Sequence, residues 1–235
     1  MHGIAREDLT DFFSYTNDFN QVSYSGYDFD GYTNAALNSL DYSRFSSTAD
    51  SQHWARLGRS DSELDINCRI AAFTLFQSVV KYDNKGVQDL EIIDLETFDS
   101  NSLLHFNSEE RLKYAAIFNT VSLPENAHHE EAKDAILSNW DRQGISFNND
   151  IPVTLLCVYL QNPGSNFIQV AHAAVLIQTG NEYTLIEKYN PKQPYLASVF
   201  MDKESVIVYI NQRLNQEKIE DLTNYLIMSN DSLIS

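Results

Sequence analysis

The spacing of apolar residues changes near Gly144, and this change limits the chain to folds that segregate helices from a sheet. Upstream the repeat is helical. In the stretch 65–82, Ile66, Ile70, Phe73, Phe76 and Val80 step by 4, 3, 3 and 4 residues. Ala71, Ala72, Leu75 and Val79 widen that stripe around the circumference, so a core-buried helix is expected. Ser62 or Asp65 can cap its start. Residues 7–20 form a shorter helical pattern with Leu9, Phe12, Phe13 and Tyr15 available for burial, and 30–42 form a weaker one. The stretch 108–121 begins Ser-Glu-Glu and carries Leu112, Ala115, Ala116 and Phe118. Ser122-Leu-Pro-Glu125 has the form of a capping box, opening a helix with Ala132, Ile136, Leu137 and Trp140 that Gly144 stops.

Downstream the runs are short and β-like: 152–161, 168–178, 183–189 and 225–229, with a helix at 203–214 between them. Thr179-Gly180-Asn181-Glu182 reads as a hairpin turn. The expected fold is therefore α+β, a helical N-terminal half packed on an antiparallel sheet. One domain over 1–235 is expected, with 1–61 as a helical or irregular N-terminal extension and 62–235 as the core.

Charge narrows the partners. The chain carries 16 Lys+Arg against 33 Asp+Glu, a net charge of −17. Such a surface repels phosphate backbones and anionic headgroups, which disfavours nucleic acid and a polybasic membrane contact. Solubility is the plainer use of the same charge. No apolar run approaches the ~20 residues needed to span a bilayer. The start, Met1-His2-Gly3-Ile4-Ala5-Arg6 followed by acidic Glu7 and Asp8, lacks the layout of a signal peptide. A monomer with no cofactor and no metal is expected. Adjacent His128 and His129 point about 100° apart on a helix, so they read as a solvated face and not a zinc pair. Asp28-Phe-Asp30-Gly31 lacks the alternating oxygens and closing Glu of a calcium loop. There is no P-loop, dinucleotide fingerprint or serine elbow.

Cys68 and Cys157 are the only cysteines, too few for a disulfide framework. Cys157 lies in the apolar run 153–160 and reads as a small buried hydrophobe. Cys68 sits between Asn67 and Arg69 in the first turn of the buried helix. There the unpaired N–H groups and positive dipole end favour a thiolate, and the Cys68 N–H is available to an oxyanion. An inert structural cysteine is the alternative, with Asn67 and Arg69 as capping or solvated residues. His172 opens the apolar strand 173–177, where a core histidine is the bland reading. If the turn centres on Gly180-Asn181, Ala174 faces Glu187 and His172 faces Tyr189. Glu187 then lies on the face of His172, one diagonal step away, and its carboxylate needs a partner in so apolar a strand. Asn190 is a rival on the opposite face. A salt bridge from Glu187 to Lys188 or Arg213, or plain exposure, is the structural alternative. Cys68, His172 and Glu187 thus make a nucleophile, a base and an orienting acid.

This order of Asn67-Cys68-Arg69, then His172-Ala-Ala-Val-Leu-Ile, a hairpin and a polar residue on the next strand resembles the papain-like superfamily. The closest likeness is to its NlpC-type bacterial branch. More narrowly, Asn67-Cys68-Arg69-Ile70, Glu187-Lys188 and Pro194-Tyr195 resemble a bacterial family described only as domain of unknown function 4300. The superfamily resemblance implies a papain-like core and a cysteine hydrolase or acyltransferase acting on an amide or peptide bond through an acyl thioester. The alternative is a non-catalytic peptide-binding module of a bacterial surface protein on the same scaffold. The family resemblance implies an extracellular or cell-surface setting, with a cytoplasmic one as the alternative. In papain-like enzymes a polar residue upstream of the cysteine completes the oxyanion hole, and the candidates here are Gln52, His53 and Arg59. Tyr195 is a pocket candidate, or a residue of a structural turn. Sequences of that family often carry Gln after Pro-Tyr where this chain has Leu196, so the resemblance implies no role for that position.

Overall fold

The computed structural model describes residues 4–23, 66–86, 94–101, 104–125, 127–188, 191, 195–216 and 225–234. The expected helix at 30–42, the 28–31 loop, the caps Ser62 and Asp65, and Gln52, His53, Arg59, Tyr189 and Asn190 lie outside them.

The N-terminal pattern folds as α1 (Arg6–Ser23), with Glu7 and Asp8 at its positive end. The buried helix is α2 (Cys68–Phe76), in which eight of nine residues are buried, as its all-round apolar surface requires. It is shorter than the stripe predicts. After Phe76 the chain turns into β1 (Val80–Tyr82), which pairs with β3 (Ile145–Phe147), Val80 opposite Phe147. Val79 and Val80 continue the helical count, but their branched side chains favour extended backbone once a strand partner is present. A short α3 (Leu95–Ser100) precedes α4 (Ser108–Phe118), which Asn107 and Glu110 close with a reciprocal capping box.

The helix expected to reach 121 stops at Phe118, because Val121–Ser122 is a strand, β2, beside β5 (Phe167–Thr179). Ser122 therefore opens no helix. The next one, α5 (His129–Gln143), starts at His128, whose N–H donates to Glu131 Oε2 at 2.9 Å. Gly144 ends it at φ 79°, and a Cβ there would stand 1.8 Å from the Asp83 carbonyl oxygen. Only glycine lets the β1 and β3 backbones approach at this point.

The remaining strands are β4 (Val153–Leu160), β6 (Glu182–Lys188), β7 (Tyr195–Phe200), β8 (Tyr225–Ser229) and β9 (Ser232–Leu233), with α6 (Lys203–Gln216) between β7 and β8. Among the described residues they form a seven-stranded sheet in the order β7-β6-β5-β4-β8-β9, with β2 added to β5. Every pairing in it is antiparallel. The hairpin takes its expected register, Ala174 opposite Glu187. The α+β class is as expected, but helices cover both faces. Leu155, Cys157, Tyr159, Ala173 and Val175 pack with residues of α1, α2, α4 and α5. Leu156, Val158, Ala174, Leu176 and Leu185 pack with Val206, Tyr209, Ile210 and Leu214 of α6. A strand covered on both sides must be apolar at consecutive positions, which is why 153–160 reads as an unbroken run.

One irregularity interrupts the sheet. Val158 pairs with His172 but Tyr159 with Val170, so Ala171 is an extra residue in β5. This bulge lets Val170 and Ala173, an odd step apart, both enter the core under α2. Among the described residues no helix is long and apolar enough to cross a membrane.

Candidate active site

Asn67 decides where α2 begins. Its backbone is extended at φ −90° and ψ −178°, and its side-chain oxygen accepts the Ile70 N–H at 3.1 Å. Asn67 is thus the cap, and Cys68 is the first helical residue, not the third position after Asp65. At that place the backbone N–H points out of the helix end and the positive pole of the helix lies beside the sulfur.

His172 is not at a strand end. It lies inside β5 directly after the bulged Ala171, paired with Val158 and therefore on the face that α6 covers. Glu187 shares that face through its partner Ala174. Its Oε2 is 2.7 Å from His172 Nε2. Its Oε1 accepts the Tyr209 hydroxyl from α6, and Arg213, one turn further on, adds positive charge. The Lys188 Nζ stands 3.6 Å over the Phe19 ring and 4.8 Å over that of Tyr195.

The thiol arrives from the other layer. The Cys68 sulfur lies 3.9 Å from the Ala171 carbonyl oxygen and within hydrogen-bonding reach of the His172 imidazole. With Nε2 engaged by Glu187, Nδ1 is the second hydrogen-bonding position of the ring. The group is buried: Cys68 is 5% exposed, His172 2% and Glu187 3%. A low local dielectric strengthens every interaction among them.

The charges respond accordingly. Burial pushes the Cys68 thiol up, but the His172 hydrogen bond and charge, Arg69, and the Ala173 amide outweigh it, and the thiol lies below its ordinary value. Burial pulls His172 down, while its bonds to Cys68 and Glu187 raise it to about 9. Burial raises Glu187, and His172, Arg213 and Tyr209 hold it below its ordinary value. All three shifts favour the same charge state, thiolate, imidazolium and carboxylate. Cys157 is the contrast. It is 1% exposed in β4, and burial drives its thiol far up.

The flanking candidates take other places. Asn67 caps α2, and its amide donates to Asp94 Oδ1 at 2.8 Å. Arg69 reaches both Asp94 oxygens, Nε to Oδ2 at 3.0 Å and Nη2 to Oδ1 at 2.8 Å, and its Nη1 donates to the Val170 carbonyl at 3.2 Å. Tyr195 starts β7 and is 1% exposed, edge-on to Phe12 and Phe19 at 5.4 and 5.8 Å. Leu196 is buried, and His128 and His129 are exposed.

Two residues of this neighbourhood were not singled out from the sequence. Tyr209 had a signal, because with Val206, Ile210, Arg213 and Leu214 it lies on one stripe of α6, where a phenol and a guanidinium need a buried partner. Asp94 had none, since nothing in its local pattern points to residues 67 and 69. No curated protein and no solved structure matches the chain. The family model described as "Domain of unknown function (DUF4300)" matches residues 1–234, and the chain belongs to that family.

Proposed function

We propose that this protein is a papain-like, NlpC-type cysteine hydrolase, or an acyltransferase using the same chemistry, acting on an amide or peptide bond. The observation that carries the reading is the line of Cys68, His172 and Glu187, with Glu187 2.7 Å from the far nitrogen of the imidazole. In this reading the Cys68 thiolate attacks the carbonyl carbon, and the C=O electron pair moves onto oxygen. The Cys68 N–H at the helix end donates to that oxyanion. As the carbonyl reforms, the C–N bond breaks and His172 gives its proton to the departing amine. The acyl group remains as a thioester. His172, now neutral, takes a proton from water or from a second amine as that nucleophile attacks, and the Cys68 thiolate leaves. Glu187 holds the ring orientation and stabilises its positive form.

The test is thiol reactivity. Cys68 should alkylate with iodoacetamide at pH 6–7 about a hundred-fold faster than Cys157, and Cys68→Ala should abolish the fast labelling. A wild-type rate no greater than that of free cysteine would sink the reading. The near-complete burial of Cys68 favours a second reading, a peptide-binding module with a silent thiol. That reading predicts equal, slow labelling of both cysteines.

A further inference from the structure

Asp94 occupies an odd position for its type. It precedes α3, where an aspartate ordinarily accepts N–H groups of its own helix. Here it makes no such bond, and its backbone lies in the left-handed region at φ 65° and ψ 17°. A non-glycine residue there is strained, though Asp tolerates it better than most. Both carboxylate oxygens are spent elsewhere. Oδ1 accepts from Asn67 and Arg69, and Oδ2 from Arg69 and the Tyr114 hydroxyl. The Arg69 and Asp94 side chains are only 18% and 13% exposed, so the pair is shielded from water. The two α2-side partners of Asp94 are the residues on either side of Cys68. Arg69 then continues to the Val170 carbonyl of β5, two residues before His172.

We propose that Asp94 is a positioning residue for the Cys68 thiol, its carboxylate holding Asn67 and Arg69 and, through the Arg69 guanidinium, locking the start of α2 against β5 beside His172. This rests on the reading of Cys68 as the nucleophile. A helix tip held only by its cap can slide along the sheet. A planar guanidinium bonded at one edge to a carboxylate and at another to a strand carbonyl fixes distance and angle together. The sulfur needs that constraint, because it and its base stand on different layers.

Three variants separate positioning from charge and from folding. Asp94→Asn keeps the shape and one acceptor. Asp94→Gly accepts the left-handed backbone freely, so it reads the loss of the carboxylate without strain. Arg69→Lys keeps a cation beside the sulfur but cannot span Asp94 and Val170 together. All three are expected to slow iodoacetamide labelling of Cys68 at pH 6.5 by about ten- to a hundred-fold and to move the midpoint of its pH profile upward. Circular dichroism should stay native. Arg69→Lys with a wild-type profile, or folded Asp94→Asn and Asp94→Gly with wild-type profiles, would overturn the proposal. If either Asp94 variant fails to fold, Arg69→Lys still decides. NMR titration of the His172 ring supplies an independent readout if wild-type Cys68 proves unreactive. The midpoint should fall in Asp94→Asn when the thiol is displaced, and an unchanged midpoint would overturn the positioning role, while wild-type labelling alone judges the hydrolase reading.

Discussion

Cys157 lies mid-strand in β4 and Cys68 at the tip of α2, and both are almost out of reach of solvent, at 1% and 5% exposure. Burial acts on both thiols in the same direction, yet the two end on opposite sides of the ordinary value. Around Cys157 burial and the neighbouring Cys68 sulfur both push the thiol up, and the more distant charge of Arg69 does not offset them. Around Cys68 there are an imidazole, a guanidinium, the Ala173 amide and a helix end. Desolvation alone silences a thiol. Desolvation combined with fixed positive partners makes it acidic, because the same low dielectric strengthens their attraction.

Removing the imidazole should erase that difference most completely. His172→Ala is expected to slow Cys68 labelling at pH 6.5 by about a hundred-fold, bringing it level with Cys157, and mass-spectrometric quantification of each labelled peptide checks this. Glu187→Gln keeps the shape but takes away the charge that faces His172, so the His172 midpoint should drop from about 9 towards its ordinary ~6.5, with a loss of about ten-fold in labelling. A titration unchanged from wild type would show that Glu187 is a bystander. Tyr209→Phe removes one hydrogen bond to Glu187. About three-fold in rate is expected from it, read in the same assay. Smallest should be Cys157→Ala, which costs about 1 kcal/mol of stability in a denaturant melt and leaves Cys68 labelling where it was.

Stability should carry a matching signature. The folded state holds the His172 proton more tightly than the unfolded chain does. That contribution is fully present below about pH 6.5 and is lost as pH rises through about 9. Glu187, held below its ordinary value, contributes above that value and loses its contribution as pH falls through its folded pKa. Urea melts of wild type and His172→Ala across that range should converge at the alkaline end. Parallel curves throughout would mean that His172 is not charged in the fold.

Much of this was legible because some signals are local. The turn at Gly180-Asn181 fixes the hairpin register, and the register carries Glu187 to the face of His172. The run at 153–160 announced a strand without revealing that α6 would cover its second face. The end of α2 was not legible, because Val79 and Val80 satisfy a helical stripe and an extended strand equally, and only the pairing with Phe147 decides. β7 was missed because Tyr-Leu-Ala-Ser-Val-Phe, buried at all positions but one, has no alternation to show. The Ala171 bulge and the reach of Asp94 to residues 67 and 69 depend on tertiary contact, so no window of sequence contains them.

The bulge divides ownership of the chemistry. The helical layer owns the sulfur and the sheet owns the imidazole, and they meet where the sheet is dislocated by a single residue. While the chain is collapsing, or whenever the helical layer loosens, the cysteine reverts to an ordinary thiol. In the proposed hydrolase, reactivity is then a readout of docking, because the sulfur reaches the imidazole only when the helix is packed on the sheet.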